Sequence, residues 1–227
     1  MIELRLVYNA LMPSFKFLIF IAAMLAAACR QPVKNQEPAL LSFFQSAPAS
    51  DTLRFEITGD GADAPVYGDT IPNALFFTAL PAGWLGEIDY VADSTQALVL
   101  GRQRFPLDDS TDAWHVDIRQ FWFQHQSLLL YNKNRQAFTT RITVAEWYGG
   151  DGGQDLTGSW LTDYDGDGDK DLIRRLIRHS SRPEGDTVRE DFYESAELFL
   201  WEKGRFVAEP IRDTAAIVKR YPVSWMW

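Results

Sequence analysis

The amino-acid sequence predicts a single all-β domain over residues 39–227, on the basis of two patterns. The clearest alternation of polar and apolar side chains has a period of two and covers residues 52–58, as in a half-buried strand. Two apolar runs, 128–131 and 198–201, are each followed by a polar turn and then by an aromatic residue, Phe138 or Phe206. Each of these two runs therefore predicts a β-hairpin.

Further short segments have the composition of strands: residues 74–80, 87–91, 97–101, 114–123, 138–147 and 197–201. The run 172–177 is ambiguous, because its apolar residues recur at a spacing of four, which also suits a helix. We favour a strand, because a turn-like segment, 180–185, and then another apolar strand follow it. The short strands predict a β-propeller-like or meander arrangement, and residues 39–46 predict a short N-terminal helix.

The composition suits a folded protein with an acidic surface. The 227 residues are 46% hydrophobic and 14% aromatic, which is enough to fill a core and excludes a disordered chain. The formal net charge of −9 would repel phosphate groups, so nucleic acid is not an expected partner. The single cysteine, Cys29, excludes disulfides within the chain and metal sites built from several cysteines.

The N-terminal region contains a run of 12 apolar, uncharged residues, 17–28, between Lys16 and Cys29. A helix that crosses a membrane needs about 20 such residues, so this run is too short. Its length, the preceding lysine and the small residues at its end are typical of a secretory signal peptide. Met12 begins a better signal than Met1 does, and translation from either start would give the same mature protein.

The end of this run resembles the lipobox of bacterial lipoproteins, in residues Leu25, Ala26, Ala27, Ala28 and Cys29. The leucine stands one position further from the cysteine than is most usual. The resemblance implies cleavage before Cys29, a diacylglyceryl group on its sulfur and an acyl chain such as palmitate on the new amino group. It divides the chain into a signal peptide over 1–28, a tether over 29–38 and the folded domain over 39–227. A cleaved signal without lipid and an uncleaved anchor stay open as alternatives.

The most distinctive internal motif is an acidic run with the pattern D-x-D-x-D-G-x-x-D, whose carboxylates are Asp163, Asp165, Asp167, Asp169 and Asp171. Carboxylates this close together repel one another unless a cation lies among them. Calcium takes about six to eight oxygen ligands, which a tight loop can supply. Gly168 would permit the sharp turn, and the backbone carbonyl of Asp169 would add a ligand. The run therefore predicts a calcium site formed by these five aspartates.

The loop differs from an EF-hand, because Arg174 stands at the twelfth position, where that motif has a bidentate glutamate. It resembles instead the loops of FG-GAP and VCBS-type β-propeller repeats, in which the aspartates precede Asp-Leu and a strand. The resemblance implies a structural calcium ion. A magnesium-only site is disfavoured, because Mg²⁺ keeps its waters, and a solvated acidic turn stays open. The glycine-rich segment 149–153 predicts a turn beside this loop, from which Asp151 or Asp155 would add a ligand.

The sequence contains no motif of a catalytic nucleophile, and its three histidines, His115, His125 and His179, lack metal-ligand spacing. We therefore expect no enzyme, and a hydrolase that uses two carboxylates is the catalytic alternative. The expected protein is a binding or structural module that lipid anchors to the cell envelope, at the outer membrane, of a Gram-negative bacterium. Its expected partners are the membrane and an envelope protein or glycan.

Two other functions stay open at this point. One is a periplasmic inhibitor or immunity protein that acts against a lysozyme-like cell-wall hydrolase. The other is a carbohydrate-binding or carbohydrate-active protein, because tryptophans can stack on sugars, although in an all-β domain such residues more often belong to the core.

Overall fold

The computed structural model describes residues 37–47, 50–58, 67–81, 84, 96–121, 123–150 and 152–224. They belong to one compact unit, residues 36–227. The described helices are α1 (Glu37–Leu41), α2 (Asn73–Ala79) and α3 (Thr214–Arg220). The described strands are β1 (Gln45–Ser46), β2 (Thr52–Phe55), β3 (Asp69–Thr70), β4 (Leu98–Pro106), β5 (Thr111–Gln120), β6 (Phe123–Asn132), β7 (Ala137–Gly150), β8 (Gly153–Thr162), β9 (Asp171–Glu184), β10 (Thr187–Glu202) and β11 (Arg205–Glu209).

Strands β4 to β11 form a meander, in which each strand pairs antiparallel with the next along the chain. β1 lies parallel to β4 at one edge, and β3 also pairs with β4. The fold is therefore all-β, as the sequence predicts, and of the two arrangements left open it has the meander. A short N-terminal helix is present as α1, but it ends at Leu41, and the last two residues of the predicted helix, Gln45 and Ser46, form strand β1 instead. Some strands are longer than predicted, up to 16 residues in β10.

The two predicted hairpins and the ambiguous run agree with the structure. β6 and β7 form one hairpin, in which Asn132 pairs with Ala137. β10 and β11 form the other, in which Glu202 pairs with Arg205. The run 172–177 lies within strand β9, so the choice of a strand over a helix is confirmed. The predicted strand at 87–91 lies outside the described residues.

Residues 74–80, predicted as a strand, form most of helix α2 instead, so that prediction was wrong. Pro72 precedes the helix, and its carbonyl accepts hydrogen bonds from the backbone N–H groups of Leu75 and Phe76, at 3.0 Å each. Phe76 is buried, whereas Leu75 and Phe77 are only partly buried. Because the run is apolar almost throughout, its composition does not separate a strand from a helix, and the packing of one face decides.

The segment 180–185, predicted as a turn, lies in β9 as far as Glu184, and the chain reverses at Gly185, whose φ is 63°. This prediction was wrong because the segment is polar for a reason other than a turn: past Ser180 it has no neighbouring strand on its β8 side among the described residues. The β8–β9 pairing ends at Ser180, so this part of the β9–β10 hairpin extends past β8. Its side chains face solvent on both sides, and such a strand needs no apolar alternation.

Hydrophobic side chains pack on both faces of strands β4–β6, in two clusters. On one face, Trp114 is buried among the rings of Phe44, Tyr131 and Phe138, with ring centroids 5.0–5.2 Å apart. Its neighbour Ala113 points to the other face and belongs to the second cluster, which includes residues of β2 and α3. Successive residues of a strand point to opposite faces, so β5 contributes to both cores.

Strand β2 enters the sheet where two later strands separate. β7 pairs with the first half of β8, whereas β2 pairs with the second half, where Phe55 is opposite Ser159. The chain around the end of β2 then contacts strands β5 and β6. The Phe55 ring lies 5.0 Å from the ring of His115, and the Gln126 side chain donates a hydrogen bond to the Glu56 carbonyl at 3.5 Å. This segment therefore covers part of the face formed by β4–β6.

Within the described residues, the helices are all too short or too polar to serve as membrane-spanning segments.

Candidate functional site

The aspartate loop connects the end of β8 to the start of β9, as the motif predicts. Gly166 and Gly168 have φ values of 87° and 97°, a left-handed conformation that glycine adopts without steric cost. The chain can therefore turn tightly at these two glycines. The turn brings aspartate side chains from the start and from the end of the loop together.

Three of the five predicted aspartates come together. One carboxylate oxygen from each of Asp163, Asp165 and Asp171 lies within 4.8 Å of the other two. Asp171 is 2% exposed, whereas Asp163 and Asp165 are exposed. The side chains of Asp167 and Asp169 lie outside this group of three, and Asp167 Oδ1 instead accepts a hydrogen bond from the Asp169 backbone N–H at 2.9 Å.

Backbone N–H groups hold these carboxylates in place. Asp163 accepts hydrogen bonds from the N–H groups of Gly166 (2.7 Å) and Gly168 (3.2 Å). Asp171 accepts one from Tyr164 at 2.9 Å and one from Trp201, on β10, at 3.0 Å. Asp171 therefore ties the loop both to itself and to the neighbouring strand.

The loop concentrates negative charge. Burial raises the pKa of the Asp171 carboxyl, against the lowering effect of the hydrogen bonds from Trp201 and Tyr164. Burial also raises the pKa of Asp169, and the charge of Asp167 raises it further. The basic residue within the loop, Lys170, donates instead to the carbonyl of Asp51 at 3.1 Å. Lys170 therefore does not neutralise the carboxylates of its own loop. A cation bound among these carboxylates would relieve their mutual repulsion.

Sequence reasoning missed Asp108, which supports the loop from the β4–β5 turn. Its Oδ2 accepts a hydrogen bond from the indole Nε1 of Trp201 at 3.1 Å. Burial alone would raise the pKa of Asp108, but hydrogen bonds from Ser110, Trp201 and Thr111 together lower it, so this carboxyl stays charged. Since Trp201 also donates to Asp171, it links the two carboxylates. No local signal marks this contact, because 93 residues separate its partners.

Other predicted site residues lie elsewhere. The segment 149–153 was predicted beside the loop, but its described residues lie around the opposite end of β8, and the ten residues of that strand span about 30 Å. Asp155 was considered as a further ligand, but it forms a two-point ion pair with Arg178 at 2.7 and 2.9 Å. Asp151 and Cys29 lie outside the described residues, as do the signal peptide and residues 29–36 of the tether.

The chain matches no known family model, no curated protein and no solved structure.

A second polar cluster, which the sequence reasoning did not identify, lies on the face of β5–β6 beside β2. Asp117 is fully buried, and its carboxylate accepts hydrogen bonds from the guanidinium groups of Arg102 and Arg119 and from the Gln124 amide. The Arg119 and Gln124 contacts measure 3.0 and 3.1 Å. A polar residue at every second position of a strand ordinarily indicates a solvent-facing side. In β5 the polar side is buried instead, so its alternating polar residues could not be recognised from the sequence as a buried cluster.

The histidines lie in separate environments. His115 is buried beside Asp117 and bonds to Gln126 at 3.1 Å. His125, on the opposite face, lies 2.6 Å from the Ser127 hydroxyl and 3.3 Å from the Glu146 carboxylate. Although these three groups have the connectivity of a catalytic triad, the fully buried Ser127 gives a substrate no access, and the network is structural.

Proposed function

We propose that this protein is a calcium-stabilised binding or structural module of the bacterial cell envelope, held at the membrane by lipid on Cys29. The observation that carries the calcium part is the convergence of Asp163, Asp165 and Asp171 within 4.8 Å. The ligands are carboxylate oxygens on a flexible glycine-containing loop, and Ca²⁺ favours hard oxygen donors in adaptable geometry. Waters and backbone carbonyls would complete the shell. The ion would hold the loop against β10 through Asp171.

Asp165→Ala is expected to abolish stabilisation by calcium. A ligand at 100 times its dissociation constant adds about 2.7 kcal/mol to the free energy of unfolding. For a domain of this size, that corresponds to a rise in melting temperature of roughly 5–10 °C. Thermal unfolding of the full-length protein, with calcium and with a chelator, measures the rise directly.

The matched control for this substitution is Asp186→Ala, which removes one acidic residue from the exposed β9–β10 turn and should keep the full calcium response. Magnesium at the same concentration should stabilise the unchanged protein much less. A calcium-dependent rise that survives in the Asp165 variant would contradict the metal proposal, as would the lack of any rise in the unchanged protein.

The anchor part of the proposal is supported by the lipobox-like residues that end at Cys29. Cys29→Ala should remove the lipid, because no other cysteine offers a thiol for the thioether. The protein would then move from the membrane fraction to the soluble fraction, while Ala28→Gly, which keeps a small residue at the cleavage site, should stay with the membrane. Mass spectrometry that finds an intact leader and an unmodified thiol in the native protein would refute the anchor.

A further inference from the structure

Strand β10 has a long free edge. On one side it pairs with β9 through residues 187–199, whereas on the other side β11 pairs only with residues 198–202. Among the described residues, no strand therefore lies beside this edge from 187 to 197. The residues of an antiparallel strand point their N–H and C=O groups alternately to its two sides, so about half of the backbone groups in this stretch point to the open side. An edge of this kind is a template for a further strand.

The outer part of this edge also exposes hydrophobic side chains. Val188, Phe192 and Tyr193 are all more than half exposed. Val188 and Phe192 lie on the same face of the β9–β10 hairpin, because every second residue of a strand points to the same face. On that face the Phe192 ring stacks on the ring of His179, with the centroids 4.4 Å apart, and Pro183 lies opposite Val188. Exposed hydrophobic groups beside an open edge favour association with another strand.

The charges along the edge are self-complementary in one register. Opposite residues of an antiparallel pair share a face, so a symmetric pair of β10 strands must be centred on one residue. Centring on Arg189 or Asp191 would set that charge against its own copy, without any pair of opposite charge. Centring on Phe192 would set Glu190 of each copy against Glu194 of the other. Centring on Glu190 instead places Arg189 of each copy opposite Asp191 of the other, which gives two pairs of opposite charge.

The ends of the free edge exclude the remaining registers. Centring on Tyr193 or a later residue would place residue 187 of the other copy opposite residue 199 or beyond, and the position beside Phe199 is occupied by Ala208 of β11. Those registers are therefore closed by steric overlap. Centring on Val188 or Thr187 would pair too short a stretch, because β10 begins at Thr187. The register centred on Glu190 pairs residues 187–193 of each copy, all of which precede the β11 pairing.

In this register both faces of the paired hairpins gain contacts. On one face, Val188 of each copy lies opposite Phe192 of the other, which covers exposed hydrophobic surface on both copies. On the other face, Arg189 already binds Asp191 of its own chain at 3.1 Å, and it gains the Asp191 carboxylate of the other copy. The one repulsive contact is Glu190 against its own copy. Two attractive charge pairs and two hydrophobic pairs therefore stand against a single repulsion.

We propose that this edge is a dimerisation surface, at which two copies of the chain pair antiparallel about a two-fold axis through Glu190. The two hairpins then form a sheet of four strands, which is more stable than an isolated pair of strands. The paired stretch 187–193 is short, so the dimer is a weak one, of the class that buries less than about 1,200 Å². Neither Cys29 nor the calcium-loop aspartates lie in this stretch, so the dimer stands independently of the proposed function.

Disulfide cross-linking tests the register. The two substituted residues of an E190C dimer would be directly opposite, with Cα atoms about 4.5–5.5 Å apart, a separation that a disulfide bridges. The matched control is V188C, which is also exposed and on the same face. Its two copies would lie four residues apart along the strands, about 13 Å, which is too far for a disulfide. Oxidation of the purified full-length protein, followed by non-reducing electrophoresis, should give much more linked dimer for E190C than for V188C. Cys29 is present in both variants, so any link through it appears equally in both.

An exchange of charges tests the identity of the partner. R189D and D191R each set like charges opposite one another in the dimer, so each variant alone should associate about tenfold more weakly than the unchanged protein. In an equimolar mixture of the two variants, opposite charges face each other again at both pairs, and association should recover. Sedimentation equilibrium of the full-length protein in density-matched detergent measures both steps. The proposal is overturned if the unchanged protein stays monomeric at high concentration, if E190C and V188C cross-link equally, or if the mixture associates no more strongly than either variant alone.

Discussion

Asp117→Asn is expected to lower the free energy of unfolding by roughly 3–5 kcal/mol, because it removes the buried negative charge that the guanidinium groups of Arg102 and Arg119 share. The asparagine keeps the size of the side chain, so the loss reports charge and hydrogen bonding rather than packing. Arg102 and Arg119 would then both lose their ion pair with this carboxylate, and the Gln124 amide would lose a charged acceptor.

Urea denaturation measures this loss. Asp112→Asn is the matched control on the same strand, and it should cost less than about 1 kcal/mol, because Asp112 pairs with Lys133 near the surface. Adding Arg119→Gln to the Asp117 variant should restore part of the stability, since it removes one of the two positive charges that the carboxylate held together. A loss no larger than that of the Asp112 control would show that the buried carboxylate is not the centre of this cluster.

The stability of the protein is expected to fall below pH 6.5 through His115. Burial lowers the pKa of this histidine from 6.5 to about 4, and the charge of Arg102 adds to the effect, against the hydrogen bond to Gln126. The unfolded chain therefore binds this proton more readily than the folded chain. The contribution of the neutral ring is complete above pH 6.5 and is lost as the pH falls toward 4, by about 3 kcal/mol in total.

His115→Gln should remove this part of the pH dependence, because glutamine does not titrate. The measurement is the urea midpoint of the unchanged protein and of the His115 variant, each at about pH 7 and about pH 4.5. The carboxylates affect both proteins equally, so their contribution cancels when the two pH-dependent changes are compared. His179→Gln, on the β9–β10 hairpin, is the histidine control. Equal loss of stability in the unchanged protein and the His115 variant would contradict the assignment.

Parts of the fold were predictable where a local sequence pattern marks them. Strand β2 was recognised from the alternation of polar and apolar side chains, and the β6–β7 and β10–β11 hairpins from an apolar run followed by a polar turn. The prediction failed where no such pattern is present. Helix α2 is apolar on most sides, and residues 180–184 are polar on both faces because they extend past β8.

The candidate sites also differ in how well the sequence predicts them. The aspartate loop is contiguous in sequence, so its carboxylates and turning glycines could be recognised directly, although the support from Trp201 could not. A cavity on the face of β4–β6 next to β2 is lined by Gln45, Glu56, Arg102 and Gln124, which lie far apart in the chain. Only the pairing of β1, β4, β5 and β6 and the pairing of β2 with β8 bring them together, and no short motif encodes such a register.

The overhanging end of the β9–β10 hairpin gives the molecule an uneven distribution of local stability. Beyond Ser180, β9 has β10 as its sole strand partner among the described residues, and the apolar side chains there, Val188, Phe192 and Tyr193, are largely exposed. An isolated two-stranded ribbon is only marginally stable in water. Its tip can therefore fray and re-form without disturbing either core, so its amide hydrogens would exchange with solvent long before those of β5 and β6.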